Sequence, residues 1–254
     1  MRIITWNCNT ARNNLTDKVV DYVDSLNGNI TALQETKNET TIKGSSLWND
    51  KTSLGDIWTE SGEKRSDNYL CGVSLFAKDA TIECLTNNVE IEKFPFIVLY
   101  KVSLYDGKIL YVFNVWLKTF NGKTKISYME RLKNGLKCEK YKNILEKYPS
   151  IILGDFNIYD SPSETAHNEW LKWIGISKDL SEKYGIESAW HAYNKAEFGK
   201  EGEEFTLFHQ GKYHCDLCLF SKKYFKPLNS IIDKSVVERK LSDHNSLITE
   251  LEWK

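Results

Sequence analysis

The sequence lacks any apolar run approaching the roughly 18–20 residues that a membrane-spanning helix requires. Its richest stretches, Phe94–Tyr100 and Ile109–Phe113, are strand-sized. It also lacks a net charge of either sign. Thirty-four Lys+Arg face 35 Asp+Glu, formally −1, so any attraction for a polyanion must come from a local patch. Proline is scarce: the four (Pro95, Pro149, Pro162, Pro227) are dispersed, and no Ser/Gly-rich or low-complexity stretch marks a linker. No internal repeat is visible, which excludes a solenoid or propeller. The opening Met1-Arg2-Ile3-Ile4-Thr5-Trp6-Asn7 has no signal-peptide core and reads directly as a strand.

What is present is ordinary globular usage: 41% hydrophobic, 13% aromatic and 27% charged. That balance excludes a disordered or collagen-like chain and predicts one compact domain over residues 1–254, expected as a monomer. The six cysteines (Cys8, Cys71, Cys84, Cys138, Cys215, Cys218) are scattered over 254 residues, so reduced thiols and a cytoplasmic setting are expected. Cys215-x-x-Cys218 has no second Cys/His pair at zinc spacing. Along a strand, positions three apart face opposite sides.

Runs rich in β-branched and aromatic residues predict strands at Ile3–Trp6, Thr31–Leu33, Gly72–Phe76, Ile97–Leu104, Ile109–Trp116, Ile151–Leu153, Phe205–His209, Tyr213–Phe220 and Leu247–Leu251. Asp106-Gly107 and Gln210-Gly211 read as hairpin turns. Helical spacing predicts three helices, Lys18–Leu26, Thr124–Lys147 and Ser163–Ile174. Many strands, few helices, and both hairpins and crossovers predict an α/β fold: two packed mixed sheets flanked by helices, a four-layer sandwich.

Five segments carry chemistry. Gly154-Asp155-Phe156-Asn157 ends an apolar run, and an extended chain would put Asp155 and Asn157 on one face. The same residue types also form turns. Ser242-Asp243-His244-Asn245 sets an acid beside an imidazole ahead of the last strand. Asp offers a hard oxygen to Mg²⁺ and His moves or holds a proton near neutrality, although a polar loop or helix cap uses the same residues. Gln34-Glu35 ends the second strand; Asn7 and Asn9 flank the end of the first. Asp216 lies in an otherwise apolar run, where an unpaired carboxylate is costly, and a histidine is its natural partner.

Taken together and in this order, these segments resemble the endonuclease/exonuclease/phosphatase superfamily, the DNase-I-like fold, over nearly the whole chain from Ile3 to Leu251. Gly-Asp-Phe-Asn and Ser-Asp-His are the most specific marks, and the length is similar to exonuclease III-sized bacterial-type members. The resemblance implies a Mg²⁺-dependent (or Mn²⁺-dependent) phosphodiesterase. It makes Asn7, Glu35 and Asp243 the metal-side residues. Asp155 and Asn157 become the pair that places the attacking water and the phosphate, His244 the catalytic histidine, and Asp216 the residue that orients it. Tyr69, ahead of Gly72-Val73, and Asn9 fall at substrate-binding positions. Where the family usually carries His or Tyr at a strand end, this chain has Trp116. Its indole N–H donates but cannot transfer a proton, and Lys118, two residues on, offers the missing charge.

The implied substrate is nucleic acid, DNA ahead of RNA, with no membrane partner. Residues 123–147 hold eight Lys/Arg against three acids, a stretch able to follow a phosphate backbone or to form a solvated helix face. The alternatives are a phosphoesterase of this fold acting on a lipid headgroup or inositol phosphate, and a non-catalytic binding module. The latter would be expected to lose motif residues.

Overall fold

The computed structural model describes residues 1–9, 16–36, 52–57, 72–94, 97–117, 127–208 and 211–254. One mixed sheet is built from β1 (Arg2–Asn7), β2 (Ile30–Thr36), β3 (Thr52–Ile57), β4 (Gly72–Lys78), β13 (Phe225–Asp233) and β14 (Ser246–Trp253). Its strand order is β13-β14-β1-β2-β4-β3. The other contains β5 (Ala80–Cys84), β6 (Ile97–Leu104), β7 (Ile109–Trp116), β8 (Ser150–Asp155), β9 (Ile186–Ser188) and β12 (Asp216–Ser221), ordered β5-β6-β7-β8-β12-β9. A short hairpin, β10 (Leu207–Phe208) with β11 (Lys212–Tyr213), lies apart. Within each sheet one pair is parallel, β1 with β2 and β7 with β8.

Alternation along the strands builds the layers. On β1, Ile3 faces the second sheet while Ile4 and Trp6 face outward. On β8, Ile151 and Leu153 face inward and Ile152 outward. The inner faces meet in a core that includes Val73, Leu75, Tyr100, Val112 and Phe220. Outside the first sheet lies α1 (Thr16–Ser25), packing Val19, Tyr22 and Val23. Outside the second lie α3 (Tyr128–Leu136), α4 (Glu139–Lys147) and α5 (Glu164–Tyr184), which pack Met129, Leu132, Tyr141, Leu145, Trp173 and Ile176. Three shorter helices, α2 (Asn88–Lys93), α6 (Ala189–Asn194) and α7 (Ser235–Glu238), complete the described elements. This is the four-layer sandwich that the strand and helix pattern predicts.

Strands β3, β5, β9 and β13 and helices α2, α6 and α7 are not among the elements expected from the sequence, and three expected elements differ in extent. The single helix expected over Thr124–Lys147 is two within its described part: Cys138 is extended (φ −62°, ψ 140°) and starts α4 afresh. The helix expected to end at Ile174 runs on to Tyr184, where Gly185 closes it in the left-handed conformation (φ 62°). The strand expected over Tyr213–Phe220 is interrupted at His214-Cys215. There Thr206 Oγ1 accepts from both Cys215 N and Asp216 N, drawing the backbone out of the ladder. The turn at Asp106-Gly107 is present, with Gly107 at φ 88° between β6 and β7.

Candidate functional site

Strand direction gathers the candidate residues. Parallel β1 and β2 both end at one rim of their sheet, and antiparallel β14 begins there. In the other sheet β8 ends at Asp155 and antiparallel β12 begins at Asp216, the two residues being register partners. Asn7 shares the inward parity of Ile3, Asp155 that of Ile151 and Leu153, and Asp216 that of Cys218 and Phe220. The two rims therefore face each other, and Asn7 Nδ2 bridges them by donating to Asp155 Oδ2 at 2.9 Å. Deeper in the interface, Gln34 Nε2 donates to Asn114 Oδ1 at 2.8 Å, and Asn114 Nδ2 donates to Ser74 O at 3.0 Å.

Backbone irregularities re-aim three side chains. By period two, Glu35 would point outward with Leu33. A bulge shifts the β2/β4 register between Gln34 and Thr36, and Glu35 adopts φ 53°. Its Oε1 accepts from Asn7 Nδ2 at 3.3 Å. Asn9 (φ 47°) donates through Nδ2 to Asp243 Oδ1 at 2.9 Å. Asn157 (φ 50°) lies beyond the end of β8, so it shares a face with Asp155 through a turn and not through an extended strand. Its backbone N–H and Nδ2 donate to Asp155 Oδ1 and Oδ2 at 2.9 and 3.1 Å, and Nδ2 also donates to Leu117 O. Gly154 (φ 136°) permits this strand end: a Cβ there would lie 1.9 Å from Val115 O.

His244 occupies the centre. Its Nδ1 donates to Asp216 Oδ2 at 2.9 Å, and its Nε2 lies 4.0 Å from Asp155 Oδ2. The loop that carries it is fixed at two points: Trp6 Nε1 donates to His244 O at 2.9 Å, and Ser242 Oγ donates to Asn7 O at 2.8 Å. Burial alone would lower the pKa of His244, but the Asp216 and Asp155 carboxylates outweigh it and hold the imidazole up at about 10. Burial raises Asp155 to about 7; the His244 charge opposes this and the Asp216 charge adds to it. Burial and then the same two carboxylates push the Cys215 thiol up.

Asn7, Asn9, Glu35, Asp155, Asn157, Asp216, Asp243 and His244 thus form one linked polar cluster. Trp116 ends the neighbouring strand β7. It is 1% exposed and packs in the apolar core between the sheets, as the register partner of Asp155. Lys118 and Tyr69 lie outside the described residues. Sequence reading missed the Gln34–Asn114 clamp and the anchoring role of Ser242, because each acts through partners distant in the chain, and it weighed Cys215 only with Cys218 and not beside Asp155 and His244. Part of the basic stretch is spent internally: Arg131 is buried, and Lys140 pairs with Glu90 at 2.9 Å. The five described cysteines carry free thiols, and among the described residues no helix is long and apolar enough to cross a membrane.

The cluster offers two kinds of donor set to a cation. Asn7, Glu35 and Asp243 present hard oxygens, and the buried Asn9 Oδ1 beside them has no hydrogen-bond partner among the described residues. That set fits Mg²⁺. Asp155, Cys215, Asp216 and His244 form a buried group of mixed donors that could also bind a metal.

No protein-family model and no curated protein matches the sequence. Solved structures do match. The Xenopus laevis APE2 catalytic domain superposes with a TM-score of 0.63 at 18% identity, covering 100% of this chain and 92% of that one. An endonuclease/exonuclease/phosphatase family protein from Leptotrichia buccalis gives 0.62 at 15%, with 99% of each chain covered. The 3′ phosphatase NExo from Neisseria, solved with a product DNA hairpin, gives 0.58 at 17% over the full length of both. At these identities the likeness is one of architecture, and in architecture the chain stands with the endonuclease/exonuclease/phosphatase proteins.

Proposed function

We propose that this protein is a Mg²⁺-dependent phosphodiesterase, a nuclease whose substrate is DNA, and that residues 1–254 form one catalytic domain of the superfamily. The observation that carries the reading is the buried Asp216–His244 pair set 4.0 Å from Asp155, at a rim where an oxygen-rich donor set also converges. A non-catalytic module has no use for a histidine held cationic next to a carboxylate of raised pKa. The fold shared with a phosphatase solved on a DNA hairpin supports nucleic acid as the substrate class.

Asn7, Glu35 and Asp243 would hold Mg²⁺, which supplies neutralisation of charge developing on the phosphoryl group. The rest is done by the chain. Three hydrogen bonds, from Asn7 Nδ2, Asn157 N and Asn157 Nδ2, fix the Asp155 carboxylate. They leave an open lone pair on Oδ1, and with a pKa of about 7 Asp155 accepts a proton from an attacking water near neutrality. His244, locked by Asp216, directs Nε2–H toward a non-bridging phosphate oxygen as a fixed cationic donor.

A substrate panel tests this: duplex DNA, abasic duplex, single-stranded DNA, RNA, sphingomyelin and inositol phosphates, each with Mg²⁺ or excess chelator. Metal-dependent cleavage of DNA is expected. Turnover of only the lipid or inositol substrates would reassign the site, and no turnover of any would favour a binding module.

A further inference from the structure

The hydrolytic reading gives no task to Cys215. This residue is fully buried at the start of β12, with Sγ 3.6 Å from Asp216 Oδ2 and 3.8 Å from Thr206 Oγ1. One donor atom from each of Asp155, Cys215, Asp216 and His244 lies within 4.8 Å of the other three. In addition, Asp216 Oδ1 is buried with no hydrogen-bond partner, leaving acceptor capacity on a side chain that already belongs to the group.

We propose that this tetrad is a second cation site, selective for a soft tetrahedral dication of the Zn²⁺/Cd²⁺ class, and that filling it switches off the Mg²⁺-supported reaction. The inhibitory half rests on the roles given above to Asp155 and His244; the binding half does not.

The donor set argues the selectivity. One sulfur, one imidazole nitrogen and two carboxylates suit Zn²⁺, whereas Mg²⁺ requires octahedral oxygen. Zinc bonds of ~2.0–2.3 Å put tetrahedral donors roughly 3.3–3.8 Å apart, so separations near the 4.8 Å limit close by about 1 Å while the 2.9 Å contact of His244 Nδ1 with Asp216 Oδ2 opens slightly. As the metal–sulfur bond forms, the Cys215 proton leaves to solvent. The ion also takes the place of the proton that His244 Nδ1 shares with Asp216 Oδ2, and this second proton likewise leaves to solvent. The imidazole then no longer carries its positive charge, and Asp155, bound to the ion, no longer accepts a proton.

The test titrates the full chain with Cd²⁺ in millimolar Mg²⁺ and without substrate, following the ultraviolet sulfur-to-cadmium charge-transfer band. One equivalent should bind with this band, undisplaced by Mg²⁺. Cys215→Ser and Cys215→Ala should weaken that binding by more than about a hundredfold, since loss of even an outer-shell partner costs 10–100-fold. Cys84→Ser, which alters an exposed thiol, should not. Where hydrolysis is measurable, Zn²⁺ should inhibit the unaltered protein and not Cys215→Ala. Should the Cys215 variants misfold, a Zn²⁺-soaked crystal of the unaltered protein must show anomalous scattering within bonding distance of Cys215 Sγ and a His244 nitrogen. A band that survives in both Cys215 variants, or an ion found only elsewhere, overturns the proposal. Because the band is read without substrate, failure of the hydrolytic reading leaves the binding result standing.

Discussion

His244 Nδ1 lies 2.9 Å from Asp216 Oδ2, and both side chains are buried. This contact joins the first residue of β12 to the loop before β14 and makes the two side chains one functional unit. His244→Ala should be nearly inactive, and Asp216→Asn should lose about 10²–10³ in kcat. The double variant should be little worse than His244→Ala alone. Strictly additive losses would separate the two residues.

The same pair sets a pH range. Asp155 must be ionised to accept a proton, so activity should rise through about pH 7. His244 must be cationic, so activity should fall through about pH 10. Without the Asp216 charge, burial dominates and the imidazole pKa drops. The alkaline limb of Asp216→Asn should therefore move toward neutrality while the acidic limb moves less. A kcat profile with an unmoved alkaline limb would contradict this.

Glu35 pays for its position in backbone strain, at φ 53°. Glycine has no such strain, so Glu35→Gly should be more stable than Glu35→Ala by roughly 1 kcal/mol. Both should lose activity equally, because the carboxylate is gone in each. Urea unfolding beside single-turnover rates makes the comparison, and equal stabilities would indicate that the bulge relaxes.

Trp116→His should lower stability by about 2–4 kcal/mol, the scale of a core aromatic truncation, with preference among the panel substrates unchanged. A changed preference in the folded fraction would return Trp116 to the site.

His214 provides an acid-lability test away from the rim. It packs against Trp190 and His191, with ring centroids 4.7 and 5.2 Å away. Burial and then the His191 charge lower its pKa to about 4. The unfolded chain binds this proton near pH 6.5, the folded chain only near 4. Stability is therefore full above about 6.5 and declines as pH falls to 4, by about 3 kcal/mol. His214→Gln should flatten that part of the stability–pH curve.

Much of this was legible in the sequence. The alternation of Ile3, Ile4 and Trp6, or of Ile151, Ile152 and Leu153, already assigns faces in a two-sheet sandwich. The carboxylates and the histidine of the motifs do converge. Period two misleads where the backbone departs from it: Glu35 reaches the rim through a bulge, and Asn157 meets Asp155 through a turn. A strand-end aromatic such as Trp116 looks alike in sequence whether it faces substrate or core, so its packing between the sheets is not legible there. The break at Cys138 carries no proline to announce it. Asn114 and Gln34 gain their meaning from each other across 80 residues, which no local pattern encodes.

The contact between Trp6 and His244 spans 238 residues. Asn7 and Glu35 lie near one end of the sequence, and the loop that carries Asp243 and His244 to them leads into β14, the antiparallel partner of β1. Asn7 and Glu35 therefore depend on the far end of the chain for both Asp243 and His244. A chain cut before Asp243 keeps Asn7, Glu35 and Asp155 but has no imidazole to set beside them, because His244 is placed by the strand that pairs with β1.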